Sequence, residues 1–187
     1  MLAAVLIAAL AGYDRLTYRP SATGDASRYQ QQTARVTYIA DGDTFDVDIP
    51  DGTKATTRIR LWGVDTPEIG GTGGPMHFAK EAKVFAEEAL SGKEVLLSVV
   101  PDDTRDRYGR LLAFVYLSPD GSMFNELLIE RGFAYADTRF PHEFRGRFLQ
   151  LEEHARSERV GLWQSASLVD MPKWKQKIEK RRKGRAD

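Results

Sequence analysis

Asp41-Gly42-Asp43-Thr44 opens on a tight-turn dipeptide, Asp41-Gly42, and sets two carboxylates on either side of its glycine. Twenty residues on, Val64-Asp65-Thr66-Pro67-Glu68 reads as a strand end that turns sharply, because Pro67 has no N–H for further pairing and biases Thr66 to an extended shape. A third charged segment, Asp102 to Arg110, ends in Tyr108-Gly109-Arg110. Arg60 lies five residues before Asp65 on the strand that leads to it. Each piece alone has an ordinary explanation as a solvated turn or a charged hairpin loop. A calcium loop of the EF-hand kind does not fit the first, since Phe45 and Val47 occupy positions that need oxygen ligands. Together the pieces form an inventory for hydrolysing a phosphodiester: carboxylates for a hard cation, planar guanidinium forks for phosphoryl oxygens, and a spare carboxylate to handle a water.

These residues must be brought together by strands and turns. Ala34–Ala40, Thr44–Ile49 and Ala55–Val64 read as three β-strands, with Phe45, Val47 and Ile49 alternating against Asp46 and Asp48. Glu94–Val100 and Arg110–Leu117 are two more. An odd separation in a regular strand points Arg60 and Asp65 to opposite faces, so both reach one site only if the strand breaks at Trp62-Gly63. Helical spacing of apolar side chains predicts helices over about 75–91, 123–131 and 142–159. The fold class expected is α+β dominated by β: a small five-stranded barrel capped by about three helices.

The hydrophobic and charged fractions of the 187 residues are those of an ordinary globular chain, and the length suits one domain with tails. The absence of cysteine excludes disulfides, thiol nucleophiles and zinc–thiolate sites. The net charge of zero is unevenly spread. Residues 171–187 carry eight basic and two acidic side chains, a net +6, which leaves −6 on the rest. Residues 1–12, MLAAVLIAALAG, are too short to span a bilayer, which needs roughly 20 residues, and match the core of a signal peptide or signal anchor, although no Lys or Arg precedes them. Residues 13–33 read as a polar linker, 34–163 as the folded domain and 164–187 as a basic, flexible tail. The histidines His77, His142 and His154 read as solvated or structural, and Trp62 and Trp163 as packing.

The order DGDT, RxxxxDTPE, RYGR, Asn125-Glu126 at a helix start and a closing Gly161-Leu162-Trp163 resembles the staphylococcal nuclease, or thermonuclease, family over about residues 35–163. The resemblance implies an oligonucleotide-binding (OB-fold) barrel and a Ca2+-dependent nuclease that cleaves the P–O5′ bond of DNA and RNA and leaves 3′-phosphates. It implies that Asp43, Asp65 and the Thr66 carbonyl hold the cation, that Glu68 handles the attacking water, and that Arg60 and Arg110 bind and stabilise the phosphoryl group. Tyr108 would help hold a terminal phosphate, Asn125 and Glu126 would be structural, and Tyr135 or Phe140 would stack on a base. The segment after Glu68, IGGTGGPMHFAKEA, departs from the lysine-rich loop usual in the family. Expected partners are single-stranded or frayed DNA and RNA, with the basic tail contacting nucleic acid or an anionic membrane, or merely solvated. The expected protein is a monomer, secreted, periplasmic or membrane-tethered. The rival functions are a non-catalytic nucleic-acid-binding barrel and a membrane-surface adaptor; the five chemical residues kept together favour the enzyme.

Overall fold

The computed structural model describes residues 24–70, 74–100 and 104–184; the apolar leader at 1–12 lies outside them, as does most of the polar segment that follows it. A short helix α1 (Gly24–Tyr29) precedes strands β1 (Thr33–Asp41), β2 (Thr44–Val47), β3 (Thr57–Leu61) and β4 (Val64–Asp65). Helix α2 (Ala79–Leu90), strands β5 (Glu94–Val99) and β6 (Leu111–Leu117), helix α3 (Phe124–Glu130), strand β7 (Tyr135–Ala136) and helix α4 (Arg145–Ser157) follow. Two 3-10 turns, Gly161–Gln164 and Leu168–Asp170, lead to a last helix α5 (Lys173–Lys183).

Five strands close a barrel in the order β1-β2-β3-β6-β5. All neighbours are antiparallel except β3 and β6, which run parallel because the chain crosses over through α2 and β5. Strand β1 is bulged between Val36 and Tyr38 and again between Ile39 and Asp41. Such bulges coil the strand enough to serve two neighbours in a small closed barrel. The alternation read from TFDVDI holds: Phe45 and Val47 are buried, as are Ile59 and Thr57 opposite them. The core continues through Val95, Leu97 and Val115 to Phe124, Leu128 and Phe148 on the capping helices. This is the five-stranded, helix-capped OB-type architecture expected from the sequence.

Both ends of the domain differ from that expectation. The domain starts by Gly24, not Ala34, because Tyr29 on α1 is fully buried and its hydroxyl accepts a hydrogen bond from Thr57 Oγ1 at 3.2 Å. A helix of six residues is too short to show a hydrophobic period, so the segment passes for linker. Residues 168–183 are not a free tail. Helix α5 docks on α4 by polar contacts: Lys175 Nζ meets Glu152 Oε2 at 2.5 Å with both side chains buried, and Arg156 pairs with Glu179 at 2.7 Å. A helix held by its charged residues carries no apolar stripe for sequence reading to find.

Candidate active site

The turn from β1 into β2 carries Asp43, and the turn leaving β4 carries Thr66 and Glu68. The two turns touch. A Cβ on Gly42 would sit 2.9 Å from Thr66 Cγ2, so only glycine allows this approach. Asp43 is buried and its carboxylate is fixed from three sides: the Thr66 amide and hydroxyl donate to Oδ2 at 2.8 and 2.9 Å, and the Thr44 hydroxyl donates to Oδ1 at 3.0 Å. The acidic motif DGDT and the motif DTPE are thereby one unit in space.

Arg60 joins them. Its Nη2 donates to Asp65 Oδ1 at 2.6 Å and its Nη1 is ion-paired with Asp43 Oδ2, with only 11% of the side chain exposed. The break required by the odd Arg60–Asp65 separation is present. Strand β3 stops at Leu61, Gly63 takes φ +75°, and β4 leaves the barrel to pair with β7. Gly63 is needed for space as well as for φ, because a Cβ there would meet the His142 ring at 2.7 Å and Phe148 at 2.9 Å. Burial pushes the Arg60 pKa below its ordinary value; Asp65 opposes this and Arg110 adds to it.

Arg110 approaches from the other side. Its Nη1 donates to Thr44 Oγ1 at 3.3 Å, which links it through Thr44 to Asp43. Asp106 sets its direction, accepting from the amides of Tyr108 and Arg110 at 2.9 and 3.0 Å and from Arg110 Nε at 2.6 Å. Against the cost of burial, these bonds hold the Asp106 carboxyl below its usual range. Tyr108 stands out at the rim, 69% exposed, with the Arg107 and Arg110 guanidinium carbons 4.8 and 5.5 Å from its ring centre. Burial raises the Glu68 pKa, and the neighbouring Asp41 raises it further by like charge and a shared hydrogen bond.

A cleft of about 480 Å³ opens over these groups, lined by Arg60, Trp62, Tyr108, Arg110, Arg139 and Phe140. Its cations suit an anion, and behind its lining Arg60 is ion-paired with both Asp43 and Asp65. Those two carboxylates converge on one positive group, the Arg60 guanidinium, and as hard oxygen donors they fit a divalent cation. No cluster of three or more His, Asp or Glu side chains able to hold a metal occurs among the described residues. The protein would therefore supply two carboxylates, with further ligands from backbone carbonyls, water or substrate.

A family model described as staphylococcal nuclease homologue matches residues 58–165. The chain is 34% identical over 146 residues to the thermonuclease of Staphylococcus hyicus, covering 77% of this chain and 83% of that protein. This chain belongs to the staphylococcal nuclease family. It is likewise 31% identical over 147 residues to a micrococcal nuclease of Shigella flexneri, covering 75% and 78% of the two chains. With endonuclease YncB of Bacillus subtilis it shares 32% identity over 152 residues, covering 76% and 68%. As a member of that family it is a nuclease.

Of the expected site residues, Asp43, Arg60, Asp65, Thr66, Glu68, Tyr108 and Arg110 fall in this one region. Tyr135 does not, and its expected base-stacking role is corrected. It is 1% exposed on β7, its ring packs edge-on to Trp163 at 5.4 Å, and its hydroxyl pKa is raised by burial, so no base can reach it. Phe140, 47% exposed and 5.1 Å from Trp62, lines the cleft together with Trp62 and Tyr108. Asn125 is structural, as expected: fully buried, it accepts from the Val115 amide at 3.0 Å and donates to the Trp62 carbonyl at 2.9 Å, tying α3 to the strand break. Glu126 binds Arg147 on α4 at 2.9 Å.

Three contributors escaped the sequence reading. Asp106 is one, and its spacing of two and four residues from Tyr108 and Arg110 was a usable signal, typical of an aspartate-capped turn. Arg139 is another, ion-paired to Asp137 at 2.7 Å and to Asp65 at 3.4 Å. The third is Trp174 on α5, whose Nε1 donates to Asp65 Oδ2 at 2.7 Å from 109 residues away. Nothing local marks such a contact.

Proposed function

We propose that this nuclease is a calcium-dependent phosphodiesterase that hydrolyses single-stranded or frayed DNA and RNA at the P–O5′ bond and leaves 3′-phosphates, with little sequence preference. The observation that carries this reading is the convergence of Arg60 on both Asp43 and Asp65, with Arg110 joined to the same group through Thr44. Asp43, Asp65 and the Thr66 carbonyl are the groups that would hold the cation, which supplies polarisation of a phosphoryl oxygen and a more acidic water.

The residues of the chain do the rest. Arg60 and Arg110 present planar forks to the phosphoryl oxygens, where negative charge grows as the bond breaks. Asp106 holds the Arg110 fork in place by one side-chain and two backbone bonds, so little reorganisation is needed at the moment of reaction. Glu68 takes the proton of the attacking water. Its raised pKa favours that role, because a base works best when its pKa lies near the working pH. Tyr108 and Phe140 flank the strand at the rim and read no base edge, which gives low sequence preference. We place the protein outside the cytoplasm, secreted, periplasmic or tethered, on the strength of the apolar residues 1–12.

The test is cleavage of single-stranded DNA with calcium, with magnesium and with chelator. Cleavage with calcium and none with chelator is expected, with 3′-phosphate ends on the products; equal inertness in all three sinks the enzyme reading. Arg110→Ala and Glu68→Gln are each expected to lower turnover by about 10²-fold or more while the thermal transition is retained.

A further inference from the structure

We infer that helix α5 is a strand-binding arm of the active site, its exposed stripe of Lys173, Lys177, Lys180 and Arg181 carrying the sugar–phosphate backbone of single-stranded nucleic acid out of the cleft. The inference rests on the nuclease reading for the identity of the strand. The helix lies beyond residues 58–165 that match the family model, so its role is a property of this chain's own structure.

The arm has a fixed place. Trp174 is bonded to Asp65, its indole face lies 4.7 Å from the guanidinium carbon of the cleft residue Arg139, and the Lys175–Glu152 and Arg156–Glu179 pairs lock the helix to α4. At 100° per residue the four exposed cations cover a sector of about 100°, opposite the buried Lys175 and Glu179. Trp174 falls on the border of that sector, so the stripe begins on the side facing Asp65 and runs about 12 Å along the helix.

Helix stability does not account for these charges. The first turn has no acidic residue and holds Lys173 at the positive end of the dipole. Lys173 with Lys177, and Lys177 with Arg181, are like charges at the i,i+4 spacing that destabilises a helix. The carboxylates against α5 are used elsewhere: Glu152 by Lys175, Glu153 by Arg182 and Glu179 by Arg156, and no ion pair engages the four stripe residues among the described residues. A polyanion supplies the missing counter-charge. The segment after Glu68 offers it no cation, being glycine-rich and uncharged up to Lys80. An anionic membrane is the poorer partner, because a membrane-lying helix needs a broad apolar face and α5 offers only Ile178, 36% exposed, with its tryptophan turned to Asp65.

The test uses the full-length chain in chelator, so that binding is read without turnover. The affinity for a fluorescent 20-nucleotide oligothymidylate is measured by anisotropy across a range of salt concentrations. K173Q/K177Q/K180Q/R181Q is expected to bind at least tenfold more weakly at low salt and to lower the log–log salt slope by about 2 to 3, at about 0.7 per lost phosphate contact on single strands. K93Q/R131Q/R159Q, which removes exposed cations from other elements, is expected to keep the parent slope. An unchanged slope in the stripe variant, or an equal fall per charge in the control, overturns the proposal. So does loss of binding to phosphatidylserine vesicles in the stripe variant without a change in its oligonucleotide slope. The nuclease reading is judged separately, by whether the parent cleaves the same oligonucleotide once calcium is added.

Discussion

Helix α1 and helix α5 each hold a different part of the site, by different physics. The first reaches the loop of Arg110: Asp25 and Asp51 sandwich Arg105 at 2.6 and 2.7 Å, with about a quarter of each side chain open to water. The second reaches the turn of Asp65 through the Trp174 N–H and is locked by Lys175 and Glu152, which are 3% and 6% exposed. Glu152 also accepts the Ala136 amide of β7 at 3.1 Å, and β7 pairs with β4 at Asp65–Tyr135. A solvated clasp can be loosened at small cost, because water replaces each lost partner. A buried clasp cannot, because removal of one partner leaves an uncompensated charge in a low-dielectric place.

The largest effect is therefore expected from Lys175→Met. Leaving Glu152 buried and unpaired should cost about 3–5 kcal/mol in urea unfolding, and the double variant with Glu152→Gln should recover most of it, since the glutamine can still accept the Ala136 amide. A loss in the single variant under about 1 kcal/mol would put the two clasps on a level.

Next comes Trp174→Phe, which keeps the ring and removes the N–H. An outer partner that orients a metal carboxylate is typically worth about 10- to 100-fold in metal affinity or activity. A fall of that size is expected in calcium affinity by calorimetry and in kcat, with the thermal midpoint little moved. If calcium bound the variant as tightly as the parent, the indole would be packing alone.

The smallest effect is expected at the solvated clasp. Asp25→Asn should cost about 1 kcal/mol or less near neutral pH. The Arg105 hydrogen bond holds the Asp25 carboxyl below its ordinary 3.8, against a smaller opposing effect of burial. A depressed carboxyl contributes stability that is present above 3.8 and is lost as pH falls through the lower folded value. The difference between parent and Asp25→Asn should accordingly shrink below about pH 4, measured by denaturant midpoints. A difference that grew on acidification would contradict this reading.

The barrel and the acid–base inventory were legible because their signals are local. Alternation in TFDVDI marks a half-buried strand, and DGDT, DTPE and RYGR are turns whose chemistry lies in neighbouring residues. The sequence even posed the right problem at Arg60 and Asp65, five residues apart, and named Trp62-Gly63 as the place to solve it. Local reading failed where burial was decided at a distance. Tyr135 has the composition of a stacking residue and the position of a core residue, because β7 pairs inward with β4.

By itself, then, the sequence determined the strands, the turns and the types of side chain available for phosphodiester chemistry, since each depends on periodicity or on residues a few positions apart. The tertiary structure decided which of them meet. It placed Arg60 between Asp43 and Asp65, aimed Arg110 through Asp106, and turned a basic segment that reads as a tail into a helix whose tryptophan holds Asp65. A hydrogen bond across 109 residues, or a buried Lys175–Glu152 pair, leaves no period and no motif, because its stability comes from desolvation and geometry that exist only once the chain is folded.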